Sequence, residues 1–149
     1  IGGILITTYD NQQYYTFNSV NNLIPKDTFP YNLKFLLGIL NSKLMKFYYI
    51  CNYTNKSQLT VNISKTYLDR LPIRTIDFNN LSEKIMYDKL VELVNNMLEL
   101  NKKIKTLPTS SAKKMIEREI IITDKKIDEF VYELYGITKE EIKIIEEGI

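Results

Sequence analysis

The side chains of this sequence that could do chemistry are mostly hydrogen bonders and cations; nucleophiles and metal ligands are scarce. His is absent, which removes Ser-His-Asp and Cys-His nucleophile pairs and every His-ligated zinc site. Cys51 is the single Cys, so neither an internal disulfide nor a multi-cysteine metal site can form, and it reads as a small buried hydrophobe. Glu117-Arg118-Glu119 belongs to no Asp…Glu-x-Lys nuclease triad and falls in a heptad pattern, which makes it a solvated helix face. A Gly-rich cofactor loop is also missing. The sequence therefore predicts no catalytic residue, no metal site and no cofactor site. What it does hold is two stretches dense in amides, hydroxyls and charge: Tyr53-Thr54-Asn55-Lys56-Ser57-Gln58 and Asp10-Asn11-Gln12-Gln13-Tyr14.

Charge is unevenly divided. Residues 1–80 hold eight Lys or Arg against four Asp, a net +4, so the remainder carries −2 of the total +2. A polyanion would be drawn to the first part rather than the second. No apolar run approaches the ~18 residues of a membrane span, and no signal-peptide pattern opens the chain. The opening Ile1-Gly2-Gly3-Ile4 lacks a starting Met, which suggests a piece of a larger polypeptide.

The elements that must position these residues fall into two parts, 1–78 and 79–149. In the first, Ile4 to Tyr9 is apolar and β-branched, Asp10-Asn11 is a turn signal, and Tyr14 to Phe17 follows; a β-hairpin is the economical expectation. A further strand is expected over Val20 to Ile24. Pro30 then suits the first position of a helix, and Leu33, Leu36, Leu37, Leu40, Leu44 and Phe47 carry about five turns to Tyr49. Leu59, Val61 and Ile63 alternate as a half-buried strand, Ser64 caps a single turn through Leu68, and Leu71-Pro72-Ile73 closes the compact part. In the second, Met86, Leu90, Leu93, Met97, Leu100, Ile104 and Leu107 form a heptad seam. The same spacing returns after Pro108 with Ile116, Ile120, Thr123, Ile127, Phe130, Leu134 and Ile137, so two long helices should fold back as an antiparallel pair. Gly136 ends the second, and Thr138-x-x-Glu141 is a capping box for a short third. The expected fold class is α+β: a small mixed α/β domain followed by a long, coiled-coil-like helical hairpin.

Three segments carry a family resemblance. Leu37-Gly38-Ile39-Leu40-Asn41-Ser42-Lys43-Leu44 with Phe47-Tyr48-Tyr49 resembles the signature helix of restriction–modification specificity domains. Ile63 to Ile73, ending Leu71-Pro72-Ile73, is similar to the strand-to-helix exit of that family. Ile127-Asp128-Glu129-Phe130-Val131-Tyr132-Glu133-Leu134-Tyr135-Gly136-Ile137-Thr138 is similar to the ending of adenine-specific methyltransferases, among them the fused Type IIG enzymes with a TaqI-like C-terminal specificity domain. The resemblance implies a domain that selects a double-stranded DNA sequence in the bacterial cytoplasm. It also implies a catalytic methyltransferase domain elsewhere that binds S-adenosylmethionine, methylates adenine N6 and, in some relatives, also cleaves. The family's Asn/Asp-Pro-Pro-Tyr/Phe motif is absent; Asn22-Leu23-Ile24-Pro25 is its nearest imitation.

For such a domain, positioning needs Lys or Arg near phosphates, and base reading needs short amides, hydroxyls and Arg on loops. Asn55, Lys56, Ser57 and Gln58 supply both types. Asn11, Gln12 and Gln13 form a second candidate reader, and Lys26, Lys65, Arg70 and Arg74 are candidate phosphate clamps. The rival expectation is an adaptor that binds a protein partner through the helical hairpin and binds no DNA.

One outcome follows at once. With no cofactor loop and no methyl-transfer motif, this chain alone should neither bind S-adenosylmethionine nor methylate DNA. Calorimetric titration showing micromolar cofactor binding would refute this.

Overall fold

A computed structural model describes residues 5–17, 20–53 and 64–149. Six helices follow in order: α1 (Leu33–Asn41), α2 (Lys43–Tyr53), α3 (Lys65–Leu68), α4 (Leu81–Thr106), α5 (Ser110–Tyr135) and α6 (Lys139–Glu147). No strand occurs among the described residues, which overturns the α+β expectation; the described part is helical. The helical hairpin fits: α4 and α5 have 26 residues each and pack along one another.

The hairpin and strand expected before residue 25 fail for a visible reason. Leu5 is 1 % exposed and Ile6 75 %, so burial does alternate with period two. The partner, however, is a side chain and not a strand. The Thr7 N–H donates to Asn41 Oδ1 at 2.9 Å, and Asn41 Nδ2 donates to the Thr7 carbonyl at 3.0 Å. One amide thus satisfies both backbone groups of an extended residue, as a ladder would. At Asp10, both carboxylate oxygens accept backbone N–H groups, from Gln12 at 2.7 Å and Tyr14 at 2.8 Å. That closes a local turn without pairing its arms, and Tyr15 and Phe17 are left exposed. The strand expected over Leu59 to Ile63 lies outside the described residues.

The expected five-turn helix from Pro30 is likewise two helices with a later start. Asn32 caps α1 by accepting from the Lys34 N–H. The break falls at Ser42, whose extended backbone (ψ 153°) ends α1. Its hydroxyl, fully buried, donates to the Ile39 carbonyl at 2.7 Å and accepts from the Met45 N–H at 3.3 Å. The first amide of α2, Lys43 N–H, donates to Asp128 Oδ1 of α5 at 2.8 Å. An anion at a helix N-terminus is favoured by the dipole. Lys43 also reaches α6, where its ammonium pairs with Glu146 at 3.1 Å. Asn41, Ser42 and Lys43 therefore tie the N-terminal segment, α5 and α6 to one joint.

Around the joint runs a single core. Phe35, Ile39, Leu40, Met45 and Tyr49 of α1 and α2 pack with Leu90 and Val94 of α4 and with Ile127, Val131 and Leu134 of α5. Gly38 lets α1 approach α4: a Cβ there would stand 2.9 Å from Val94 Cγ2 and 3.1 Å from Leu90 Cδ1. Three tyrosine hydroxyls pin flanking extended chain: Tyr31 accepts from Ile76 N–H, Tyr87 from Asn32 N–H, and Tyr135 from Arg74 N–H while donating to the Pro72 carbonyl. Helix ends follow local chemistry. Ser64 occupies the N-cap position of α3 but makes no side-chain cap bond. Gly136 ends α5 in the left-handed region at φ 66°, and Thr138 with Glu141 forms the capping box of α6. Thr123, the polar residue in the seam, is buried and accepts a long 3.5 Å bond from Asn96.

Two stability outcomes follow. Leu100 is 6 % exposed between α4 and α5, so Leu100→Ala should cost ~2–5 kcal/mol by leaving a cavity. Thr123→Ile should leave the fold intact, since a weakly bonded buried hydroxyl contributes little. Thermal denaturation of both variants is the check, and an unchanged Leu100→Ala would refute the seam.

At the joint, burial pushes the Asp128 carboxyl above its ordinary 3.8, opposed by the Lys43 amide and raised further by nearby Asp124. Just above pH 3.8 the folded chain keeps a proton that the unfolded chain releases. Stability attributable to this group is thus full at lower pH and lost as pH rises through the raised value. Asp128→Asn keeps an Oδ1 acceptor for Lys43 but cannot ionise. Its urea midpoint should gain on the parent as pH rises from about 4 to about 7, whereas Asp128→Ala, which removes the cap, should lose ~0.5–2 kcal/mol throughout. A pH-independent difference between the Asn variant and the parent would refute burial as the main influence on this carboxyl.

Candidate nucleic-acid interface

The helical base presents polar side chains from two places. The first is the end of α2 and the start of α3. Tyr53 closes α2, and its ring stacks on Tyr67 of α3 with centroids 4.8 Å apart and planes at 16°. Tyr49 and Tyr48 complete the cluster at 5.5 and 6.1 Å from Tyr53. Residue 53 and residue 67 are thereby held together, so the chain leaves and re-enters the core at one spot. Arg70 stands close enough to Tyr53 for its charge to oppose the rise that desolvation and Tyr48 impose on that phenol. The readers Asn55, Lys56, Ser57 and Gln58 lie between these two anchors, outside the described residues.

The second place is the Asp10 turn. Asn11, Gln12 and Gln13 are all exposed. Gln13 takes a positive φ of 58°, and Gln12 Nε2 donates to Asn11 Oδ1 at 3.0 Å. The turn is ordered by the carboxylate that accepts its amides, which leaves the Gln13 side chain and the amide nitrogen of Asn11 available to a ligand. Tyr14 and Tyr15 flank it, 74 % and 104 % exposed, as amphipathic surfaces suited to stacking. Among the described residues, no hydrogen bond or ion pair joins this turn to Lys65 or Arg70.

The candidate clamps differ in how committed they are. Arg74 is engaged: one guanidinium nitrogen pairs with Glu83 at 3.0 Å and another donates to the Thr75 carbonyl at 3.0 Å. Glu83 also accepts from the Asp77 N–H, so Arg74 braces the segment that leads into α4. Lys65 pairs with Asp69 one turn on, both well exposed, a contact weak enough to yield to a phosphate. Lys26 and Arg70 are exposed and form no ion pair among the described residues. Lys34 and Lys43 are already engaged, with Asn95 and Glu146.

Sequence reasoning passed over Asn41 and Ser42. The signal was present: two residues that favour caps and turns stand in an apolar helical run. No group of acidic, Cys or His residues among the described residues could hold a metal ion, and no described helix is long and apolar enough to cross a membrane.

Residues 1–73 match the family model described as the TaqI-like C-terminal specificity domain. No curated protein and no solved structure matches the chain.

Proposed function

We propose that residues 1–73, which match the TaqI-like C-terminal specificity domain, serve DNA recognition in a restriction–modification system and select the target for a methyltransferase domain lying outside these residues. That domain would bind S-adenosylmethionine and methylate adenine N6, and in a fused enzyme the same selection would direct cleavage. The family match carries the proposal; three physical features support it. Basic charge outweighs acidic by four over residues 1–80. The stacked Tyr53–Tyr67 pair fixes both ends of the amide-rich stretch. Arg70 and Lys65 stand beside that stretch as cations for the phosphate backbone, exposed at the surface.

In this arrangement α4 and α5 serve as a spacer that docks on the catalytic domain. Met115 and Ile122 are 62 % and 55 % exposed and, seven residues apart, share one flank of α5. They fit an apolar protein contact. The same pair favours the rival adaptor function, which duplex binding separates: an adaptor shows no salt-dependent affinity for DNA.

Holding and reading DNA are separable in mutants. Lys56→Ala and Arg70→Ala should weaken binding to all sequences alike and lower the slope of log affinity against log salt by about one unit per lost phosphate contact. Asn55→Ala or Gln58→Ala should cost ~1–3 kcal/mol on the true site and little on random DNA. Methylation by the complete enzyme, measured on the true site and its single-base variants at two salt concentrations, distinguishes the two. Parental discrimination in both amide variants would exclude this stretch as the reader and turn attention to Asn11, Gln12 and Gln13.

A further inference from the structure

Among the described residues, the densest group of exposed cations lies at the far end of the helical hairpin and not in the family-matched residues. Between 101 and 118 stand Lys102, Lys103, Lys105, Lys113, Lys114 and Arg118 against Glu117 alone, a net +5. All six are exposed. Only Lys102 forms an ion pair among the described residues, with Glu99 at 2.9 Å. The turn at Leu107-Pro108-Thr109 gathers them, since the most distant, Arg118, is eight residues into α5, about 12 Å at 1.5 Å per residue.

Helix stability accounts for only part of this group. Lys103 and Lys105 sit in the last turn of α4, where cations are favoured. Lys113 and Lys114 follow the first turn of α5, which holds no acidic residue; a cation gains nothing from the dipole there. Glu117 and Glu119 share this stretch of α5, but among the described residues neither pairs with Lys113, Lys114 or Arg118, and the three cations outnumber them.

On the premise that residues 1–73 read DNA, we propose that this tip is a second contact for the same duplex, holding its backbone outside the recognised sequence. The geometry suits it. Val94 of α4 packs against Gly38 of α1, and from there to Thr106 the helix advances twelve residues, about 18 Å. At 3.4 Å per base pair the tip reaches backbone up to about five base pairs from the place where α1 sits. Contacts there add affinity and carry no sequence information.

The test uses the full chain with Lys105, Lys113, Lys114 and Arg118 all changed to Gln, exposed positions whose loss leaves the core untouched. Affinity is measured against salt on random-sequence duplexes of about 8 base pairs, too short to reach the tip, and about 40 base pairs, and the salt slope on the longer one should fall by roughly 0.9 unit per lost contact, three to four units if all four touch phosphate. The short duplex should register little change, and the ranking of sequences selected from a randomised pool should stay parental. A companion chain with Lys105, Lys113 and Lys114 changed to Arg should keep the parental slope. If the Gln chain keeps that slope on the long duplex, the tip contact is refuted while recognition by residues 1–73 stands. If the parent binds neither duplex in a salt-dependent way, both are refuted.

Discussion

A helix that stops inside the core is expensive unless the groups it frees find partners, and the break at Ser42 is the constraint on which this fold depends. Ending α1 there frees carbonyls on one side and amides on the other, around a Ser42 side chain that is fully buried. Ser42 answers in both directions with a single hydroxyl, and Asp128, 85 positions later, accepts the first amide of α2. Asn41, the last residue of α1, meanwhile pairs with both backbone groups of Thr7. Three consecutive polar side chains thus organise contacts that neither the apolar periodicity of α1 nor that of α5 could specify alone. The apolar core provides cohesion; this joint provides the register.

The joint also explains why the N-terminal part and the helical hairpin form one folding unit. Leu5, Phe35, Met45 and Tyr49 share a core with Leu90, Val94, Ile127 and Val131, and the Lys43–Asp128 bond crosses the same boundary. Removing α4 and α5 would expose the apolar face of α1 and leave the α2 amide uncapped. The hairpin is therefore structural for the family-matched part, whatever else its outer surface touches.

What the sequence disclosed and what it hid divide along physical lines. Helices α4, α5 and α6 were legible because seam, caps and turn are local: Leu90, Leu100, Ile116 and Ile127 keep one face, Gly136 supplies the left-handed stop, and Thr138 with Glu141 the restart. The extended start was misread because Leu5, Ile6 and Thr7 alternate whether the partner is a strand or an amide side chain. The α1–α2 break was hidden because the apolar spacing runs on through Leu40, Leu44 and Phe47, and the residue that pays for the interruption is distant in sequence. Pro30 looked like a helix start, yet Asn32, two residues on, offers a better cap. Among the site residues, Arg74 and Lys65 were recognisable as cations, but their pairing with Glu83 and Asp69 depends on the fold. The hairpin tip escaped notice because averaging charge over residues 81–149 gives −2 and conceals a +5 segment at its turn.

The same separation bears on how specificity can vary. Tyr53 and Tyr67 belong to the core cluster's periphery, and their stack fixes where residues 54–63 begin and end. The Asp10 turn is arranged similarly: its order comes from Asp10 itself, and Gln12 and Gln13 face outward. Truncating Ser42 or Asp128 to Ala instead leaves a polar group in the interior without its partner, a loss of order 1–3 kcal/mol. The exposed amides of Asn11, Gln12 and Gln13 are thus kept apart from the polar groups that hold the joint together.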